Sequence, residues 1–222
     1  MAKLIFSLIF TVQFIVYGQA AVHGTYWSES SDAGGCQMPT ATYVVTNAIA
    51  LGQETALGDL AFRSGLCGQV LTVNCGNGDV DAVVVSTCNI GSDTCGVDMI
   101  AKTWNTATNN ASPGITDCTV ILSNKNPIAG DGPLCYHRPN SDIGNAYSVI
   151  LSVLNTSGKI PSGATVAGVS GNRGNDDWFI FDSAGQNLFT DEAAVVFTYE
   201  DGSSDSFTVA DCQSGGSVQI FK

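Results

Sequence analysis

Eight cysteines constrain the fold of this chain more than any other feature of its sequence. They include a C-x7-C pair, Cys67 and Cys75, and a C-x6-C pair, Cys88 and Cys95, but no C-x2-C pair. With only two histidines present, this spacing does not favour a structural zinc site. Such a cysteine content is typical of disulfides formed in an oxidising compartment. We expect four disulfides, no free thiol, no metal and no cofactor.

The N-terminal segment has the pattern of a secretory signal. Lys3 precedes an apolar run, and "GQA" supplies small residues for cleavage, so residues 1–20 are predicted to be a signal peptide. The run is too short and too polar for a membrane anchor. We expect a secreted, extracellular protein of a cell wall or matrix. Sequons at Asn110 and Asn155 would carry glycans where they are exposed.

The charge balance restricts the partners of the chain. It carries 20 acidic and 8 basic residues, a formal net charge of −12. An acidic surface of this kind repels nucleic acid, anionic membranes and polyuronides. We therefore expect neither a nucleic-acid nor a membrane partner, and a partner that is neutral or held by contacts other than charge pairing.

Short β-branched segments dominate the first half, and helical periodicity is almost absent. Strands are predicted over 66–75 and 80–88, joined by the turn "GNGD", and over 115–123. One helix is predicted over 97–108. Segment 124–143 contains three prolines and is predicted to return the chain to a domain boundary.

The second half has the pattern of a small β-sandwich. Its six predicted strands lie in 146–155, 164–171, 177–183, the hairpin 193–212, which contributes two, and "SVQIF" near the end. The cysteine count is odd on each side of the boundary, which suggests one disulfide between the two halves.

The order of several motifs resembles the expansin superfamily. "GTYW" (24–27), followed by "GGC", is similar to the opening of the family's barrel, and "GLCGQVLTVNC" (65–75) to its cysteine-bearing strand pair. "GVDMIAKTW" (96–104) lies where the family has a His-Phe-Asp-Leu-Ser segment. In the second half, "AYSVILSVLN" (146–155), the tryptophan of "DWFIF" and "YEDG" follow in the family's order.

This resemblance implies an all-β fold with two domains. The first, over 21–140, would be a six-stranded double-psi β-barrel, which is shared with family-45 glycoside hydrolases. The second, over 141–222, would be an immunoglobulin-like β-sandwich that binds carbohydrate. The implied function is that of a secreted monomer that binds an insoluble neutral polysaccharide (cellulose, a related glucan or chitin). It would loosen that polymer without hydrolysing it.

Asp98 falls at the acidic position that the barrel's binding proteins and hydrolases share. Its place before apolar Met99 predicts desolvation, which raises the pKa of a carboxyl group and suits a general acid. Without a second carboxylate it would instead bind glycan hydroxyls, with Thr25 and Tyr26 lining the same groove. The alternatives are that Asp98 is a helix N-cap and that Thr25 and Tyr26 simply pack in the barrel.

The chain differs from the family at the two residues before Asp98 and at the positions where a second carboxylate would lie. Gly96 and Val97 replace the histidine and phenylalanine before the aspartate, and Ser28 and Thr87 stand where the two known partner carboxylates would be. We therefore predict no catalytic residue. A family-45-like endoglucanase, the first alternative, would need a relocated base, for which the candidates are Asp32, Asp81 and Asp93. A structural or defence protein of the barwin type is the second alternative, and the sandwich argues against it.

Aromatic side chains of the sandwich are candidates for stacking on sugar rings. The predicted binding residues are Trp178, Phe179 and Tyr199. Alternation places Phe179 and Phe181 on one face and Trp178 on the other, so at least half of these rings belong to the core. We expect Trp178 to be exposed.

Four pairings are expected among the cysteines. Cys36–Cys67 and Cys88–Cys95 are the first two. Cys75 pairs with Cys118 or Cys135, and Cys212 takes the one that is left.

Overall fold

The structure, a computed structural model, describes residues 21–28, 34–88 and 95–214. The strands of the first part are β1 (Val22–Trp27), β2 (Ala48–Leu51), β3 (Val70–Asn74), β4 (Asp79–Thr87), β5 (Val97–Ile100) and β6 (Ile115–Leu122). Those of the second part are β7 (Leu134–His137), β8 (Ser148–Leu154), β9 (Pro161–Val166), β10 (Val169–Ser170), β11 (Asn172–Arg173), β12 (Phe179–Asp182), β13 (Ala194–Tyr199), β14 (Ser204–Thr208) and β15 (Gln213–Ser214).

Helices make up little of the described chain. The helix α1 spans Ala101–Ala107, and 3-10 turns occur at Thr55–Leu60, Ser64–Leu66 and Val209–Asp211. No helix among the described residues is long and apolar enough to cross a membrane. The predicted helix over 97–108 is therefore shorter than expected, because its first four residues form β5 and pair with β1 and β2.

Six strands close into a barrel in the order β1-β5-β2-β4-β3-β6, with β6 returning to β1. The β1–β5 and β2–β4 pairs are parallel, and the other neighbours are antiparallel. The barrel interior is filled by fully buried aliphatic residues such as Ile49, Leu71, Val84 and Met99. Because side chains alternate along each strand, the residues between these face outward. The predicted all-β class and six-stranded barrel are confirmed.

Two sheets form the second part, in the orders β10-β9-β13-β14 and β11-β12-β8-β7-β15. Between them lie Leu151, Phe181, Val195 and Phe197, each 0% exposed. This is the sandwich expected from the alternation of the sequence. The strand β7 lies inside the segment predicted to be a connection, and "SVQIF" lies outside the described residues. The domain limit at residue 140 stays a prediction.

The two parts pack directly against each other. The Trp178 indole Nε1 donates to the Gln37 carbonyl oxygen over 2.7 Å, and Gln69 Nε2 donates to Thr156 Oγ1 over 3.0 Å. At the edge of this contact the Arg63 guanidinium forms a two-pronged ion pair with Glu200, with both N–O distances at 2.8 Å. Hydrogen bonds therefore fix the sandwich against the barrel at several points.

The disulfides are Cys36–Cys67, Cys75–Cys118, Cys88–Cys95 and Cys135–Cys212, and no described cysteine is free. All four expected bridges are confirmed. Cys135–Cys212 is the bridge that was expected to join the two halves of the sequence, but in the structure it lies within the second part. Cys135 lies in β7 and Cys212 directly precedes β15, and these two strands are neighbours in one sheet.

The two sequons lie in different environments. Asn110 is exposed after α1. Asn155 is 2% exposed, and its amide donates to the Ile128 carbonyl oxygen over 3.0 Å and accepts from the Ile128 N–H over 3.0 Å. A glycan would be attached to the nitrogen that makes the first of these bonds. The expectation of a glycan at Asn155 therefore conflicts with the fold.

Candidate functional site

Asp98 lies in the middle of a transverse row on the outer surface of the barrel. On β5 it pairs with Thr25 of β1 on one side and with Ala50 of β2 on the other. The row continues to Ile115 beyond Thr25 and to Ser86 beyond Ala50. The neighbours of Asp98 on its own strand, Val97 and Met99, point into the core, so Asp98 faces outward.

An open cleft of about 360 Å³ lies above this row. Its floor includes the small side chain of Ala50, which leaves space between the two flanking strands. The cleft is lined by Thr25, Trp27, Ala50, Ser86, Thr87, Cys88, Cys95 and Asp98. Asp98 is the one carboxylate among these lining residues.

The Asp98 carboxylate is half-buried and held in place. Thr25 Oγ1 donates a hydrogen bond of 2.7 Å to Asp98 Oδ1. Burial raises the pKa of Asp98 above its ordinary value, while the hydrogen bonds from Thr25 and from the Met99 backbone oppose this shift. The raised pKa was expected from the sequence. The N-cap alternative is wrong, because α1 has Ile100 as its N-cap residue and no side-chain cap.

The opening motif contributes differently from what we expected. Thr25 lines the cleft, but Tyr26 turns to the opposite side of β1 and packs edge-to-face on Trp104, with ring centroids 6.0 Å apart. Trp27, which sequence reasoning missed, shares the face of Thr25 and lines the cleft instead. The signal was present in the sequence, because residues two apart on a strand point the same way.

The positions at which a second carboxylate would be expected carry none at the cleft. Ser86 and Thr87 line it, and Ser28 is exposed at the end of β1. Asp81 lies on β4 five residues before Ser86, roughly 17 Å away along the strand, and accepts a hydrogen bond from Thr72. It also pairs with Lys125. Asp81 is therefore not brought to Asp98, and the other two candidate bases, Asp32 and Asp93, lie outside the described residues.

A second carboxylate, that of Glu54, lies beside Gly96, the residue before β5, and is already paired. Glu54 is 7% exposed, and it accepts hydrogen bonds from the His23 backbone N–H at 2.8 Å and pairs with His23 Nδ1 at 3.1 Å. A Cβ added at Gly96 would lie 2.6 Å from Glu54 Oε2. The absence of a side chain at Gly96 thus leaves the space that the Glu54 carboxylate occupies.

The three predicted stacking residues of the sandwich are all buried. Trp178 is 1% exposed, and Phe179 and Tyr199 are each 2% exposed. Phe179 contacts Phe197, with ring centroids 6.0 Å apart, and belongs to the sandwich core. Trp178 does face away from that core, as alternation predicted, but the barrel covers it. The expectation that Trp178 is exposed is wrong, and none of the three rings is open to a sugar.

Within the described ranges, no group of three or more acidic, histidine or cysteine side chains is placed to hold a metal ion. The described lining of the cleft offers hydrogen bonding by one carboxylate and by hydroxyl groups, beside one indole ring.

Comparison with known proteins identifies the fold. No protein-family model and no curated protein matches the sequence. Among solved structures, apo expansin of Clavibacter michiganensis matches with a TM-score of 0.65 and 18% identity, over 91% of this chain and 97% of that one. A mutant Clavibacter michiganensis expansin in complex with cellohexaose matches with a TM-score of 0.64 and 17% identity, over the same shares. The chain therefore has the fold of an expansin, a six-stranded barrel followed by a β-sandwich.

Proposed function

We propose that this chain is a secreted, expansin-like protein that binds a neutral polysaccharide in the Asp98 cleft and loosens it without hydrolysis. The observation that carries the proposal is the single carboxylate of the cleft, fixed by Thr25 at 2.7 Å. The fold it shares with a bacterial expansin, of which a mutant form binds cellohexaose, supports the same conclusion.

The cleft offers what a sugar needs for binding. A carboxylate accepts hydrogen bonds from sugar hydroxyls, and bonds to a charged acceptor are stronger than those between neutral groups. Trp27 presents an aromatic ring on the same face as Thr25, and such rings stack on the apolar C–H faces of sugars. These contacts require no positive charge, which suits a chain with a net charge of −12.

Hydrolysis requires a second carboxylate in a defined position. The two carboxyl groups lie about 5–5.5 Å apart in retaining enzymes and about 6.5–9.5 Å apart in inverting ones. Asp98 is the one carboxylate in the described lining of the cleft, and the Glu54 carboxylate is already paired with His23. This arrangement favours binding over bond cleavage.

The test combines three measurements on the purified protein: sedimentation with microcrystalline cellulose and with chitin, extension of isolated cell walls under load, and release of reducing sugar. We expect binding to at least one polymer, wall extension and no reducing sugar. Asp98→Asn keeps the size of the side chain but removes its charge, so it should strongly reduce extension. Asp131→Asn, at an exposed loop position, is the matched control and should change nothing.

Two results would contradict the proposal. Full wall extension by Asp98→Asn would remove Asp98 from the binding site. Release of reducing sugar by the wild type, lost in Asp98→Asn, would show a glycoside hydrolase whose base lies outside the described residues.

A further inference from the structure

We propose that His23 is a further polysaccharide-contacting residue of the barrel and that Glu54 is the positioning residue that holds it. This inference rests on the proposed function and deepens it, because it extends the binding surface along β1 beyond the Asp98 cleft. Neither residue belongs to the lining of that cleft. We call these two side chains the His23–Glu54 pair.

His23 lies on the same outer face of β1 as two residues of the cleft. Side chains alternate along a strand, so His23, Thr25 and Trp27 point the same way, with about 6.6 Å between successive members. Thr25 and Trp27 line the cleft, and the His23 side chain is 49% exposed beside it. A polymer that contacts Trp27 and Thr25 and continues along β1 therefore meets His23 next.

Glu54 holds His23 at two points. The His23 backbone N–H donates to Glu54 Oε2 over 2.8 Å, and His23 Nδ1 lies 3.1 Å from Glu54 Oε1. Because an ionised carboxylate only accepts hydrogen bonds, the hydrogen of the second contact is on Nδ1. A carboxylate that holds Nδ1–H of an imidazole fixes the ring and leaves Nε2 to act on a ligand. Glu54 itself is 7% exposed, so its role is to orient the ring.

Two glycines make room for the Glu54 carboxylate. Gly52 follows β2, Gly96 precedes β5, and the Gly52 N–H donates to the Gly96 carbonyl oxygen over 3.0 Å. A Cβ at Gly96 would lie 2.6 Å from Glu54 Oε2, and a Cβ at Gly52 would lie 1.7 Å from the Cys95 carbonyl oxygen. A buried carboxylate is costly unless it is paired, and here its partner is a half-exposed ring beside the cleft.

The outward nitrogen of His23 is the atom that would contact the polymer. Among the described residues, none forms a hydrogen bond with His23 Nε2. A sugar hydroxyl can donate to Nε2 of a neutral imidazole or accept from a protonated one. Asp117 lies opposite His23 on β6 and adds an exposed acceptor on the same face. Because Glu54 already fixes the ring, a contact to Nε2 costs little further side-chain entropy.

The position of His23 predicts a dependence on ligand length. His23 lies about 6.6 Å from Thr25 and about 13 Å from Trp27 along the strand. A trisaccharide held by Trp27 and Asp98 would leave His23 free, whereas a hexasaccharide that follows β1 would extend over it. The contribution of His23 should therefore be confined to longer ligands and to the polymer.

The test changes the imidazole and its support separately. His23→Asn keeps a donor at the place of Nδ1 but has no atom at the place of Nε2, whereas His23→Gln restores an amide there. Glu54→Gln keeps the shape of the side chain and removes its charge. Glu192→Gln, the same change at an exposed position of the sandwich, is the matched control.

NMR titrations with cellohexaose, chitohexaose, cellotriose and chitotriose give the affinities for soluble ligands. Sedimentation with microcrystalline cellulose and chitin gives the affinity for the polymer and decides where a hexamer does not bind. Thermal melting reports stability. If Glu54→Gln does not fold, the two variants of the exposed His23 still decide the inference.

We expect His23→Asn to bind hexamer and polymer about three- to tenfold more weakly than the wild type, because one hydrogen bond is lost. Trimer binding and melting should be unchanged. His23→Gln should recover part of the loss, and Glu192→Gln should behave like the wild type.

The imidazole nitrogen signals report the positioning role of Glu54. In the wild type they should place a hydrogen on Nδ1, and the Nε2 signal should shift with hexamer but not with trimer. In Glu54→Gln the amide NH2 group would face Nδ1 and move the hydrogen of the neutral ring to Nε2. The Nε2 signal should then change before any ligand is added, and hexamer binding should weaken.

Three results would contradict these expectations. Hexamer and polymer binding by His23→Asn equal to that of the wild type would overturn the inference and leave the Asp98 cleft intact. Equal weakening of trimer and hexamer binding would also overturn it, because His23 would then act on the cleft and not beyond it. A wild type that binds neither hexamer and neither polymer would overturn the proposed function itself.

Discussion

Thr25 Oγ1 donates a hydrogen bond of 2.7 Å to Asp98 Oδ1, and the two residues lie directly opposite each other on parallel strands. They are 73 positions apart in the sequence. The threonine hydroxyl favours the ionised form of a carboxylate that burial would otherwise protonate more readily. The hydrogen bond from Thr25 thus opposes the effect of burial on the pKa of a half-buried carboxyl group that lines an open cleft.

Thr25→Val removes this donor while keeping the shape of the side chain. We expect the pKa of Asp98 to rise further, because the remaining influence of burial is opposed only by the Met99 backbone. Polysaccharide binding that depends on the ionised carboxylate should then be lost at a higher pH than in the wild type. Carboxyl carbon NMR titration and sedimentation with polymer as a function of pH measure the two effects.

Thr25→Ser, which keeps the hydroxyl, is the control and should titrate like the wild type. An unchanged Asp98 titration in Thr25→Val would show that this hydrogen bond does not set the charge state.

The features of the site that are determined by neighbouring residues in the sequence could be predicted, and those determined by residues remote in the sequence could not. The place of Asp98 before apolar residues predicted its desolvation, and strand alternation would have selected Trp27 over Tyr26 as the partner of Thr25. The prediction of a helix over 97–108 was wrong for its first four residues. They form β5, which is stabilised by pairing with β1 and β2, and these two strands are remote in the sequence. Local pattern cannot show that pairing.

Trp178 is the clearest case of a non-local cause. Alternation correctly placed it on the opposite side of β12 from Phe179, which is where a sugar-binding ring would lie. Its burial results from Gln37 and the surrounding barrel, 141 residues away in the sequence. Nothing in the segment around Trp178 indicates which face of the sandwich the barrel covers.

Trp178→Phe should reduce stability rather than binding. The change removes the donor to the Gln37 carbonyl oxygen and leaves a space in the contact between the two parts. An unpaired buried acceptor costs about 1–3 kcal/mol, and the space adds to this. We expect a loss of this order in urea denaturation, with polymer binding per folded molecule unchanged.

The matched comparison is Trp27→Phe, which alters the half-buried indole of the cleft and should weaken binding with little change in stability. A Trp178→Phe protein that is fully stable but binds polymer poorly would restore the stacking role.

Gly96→Ala should destabilise the barrel. The added methyl group would lie 2.6 Å from Glu54 Oε2, 2.7 Å from Val22 Cβ and 2.9 Å from the His23 carbonyl oxygen. Because that oxygen accepts the Gly96 N–H at 3.2 Å, the methyl group must push β1 away from this segment. Overpacking of this kind costs about 1–3 kcal/mol in urea denaturation.

Gly132→Ala, which has no atom within 4 Å of the new methyl group, is the control. Equal midpoints for the two variants would show that Glu54 and β1 can move freely.

Asp177 should make the stability of the protein depend on pH. Its side chain is 1% exposed, Arg173 Nη2 donates to its Oδ1 over 3.0 Å, and Ser152 donates to its Oδ2. Asp176 and the Tyr43 phenol are the other ionisable groups whose charges interact with it. Burial raises the pKa of Asp177 to about 7, with the Arg173 charge opposing the shift. The folded chain therefore binds a proton at this carboxyl at a pH where the unfolded chain does not.

The sign of the effect follows from that difference. A folded pKa above the unfolded value means that unfolding releases a proton between about pH 4 and 7, so this contribution to stability is complete near pH 4 and is lost as the pH rises through about 7. Asparagine mimics the protonated acid at every pH. The cost of Asp177→Asn in free energy of unfolding should therefore be smaller at pH 8 than at pH 5, by an amount on the order of a few kcal/mol.

Asp182→Asn, at an exposed position of β12, is the control in the same urea titrations. An equal cost at pH 5 and pH 8 would instead mean that Asp177 stays ionised and paired with Arg173 over this whole range.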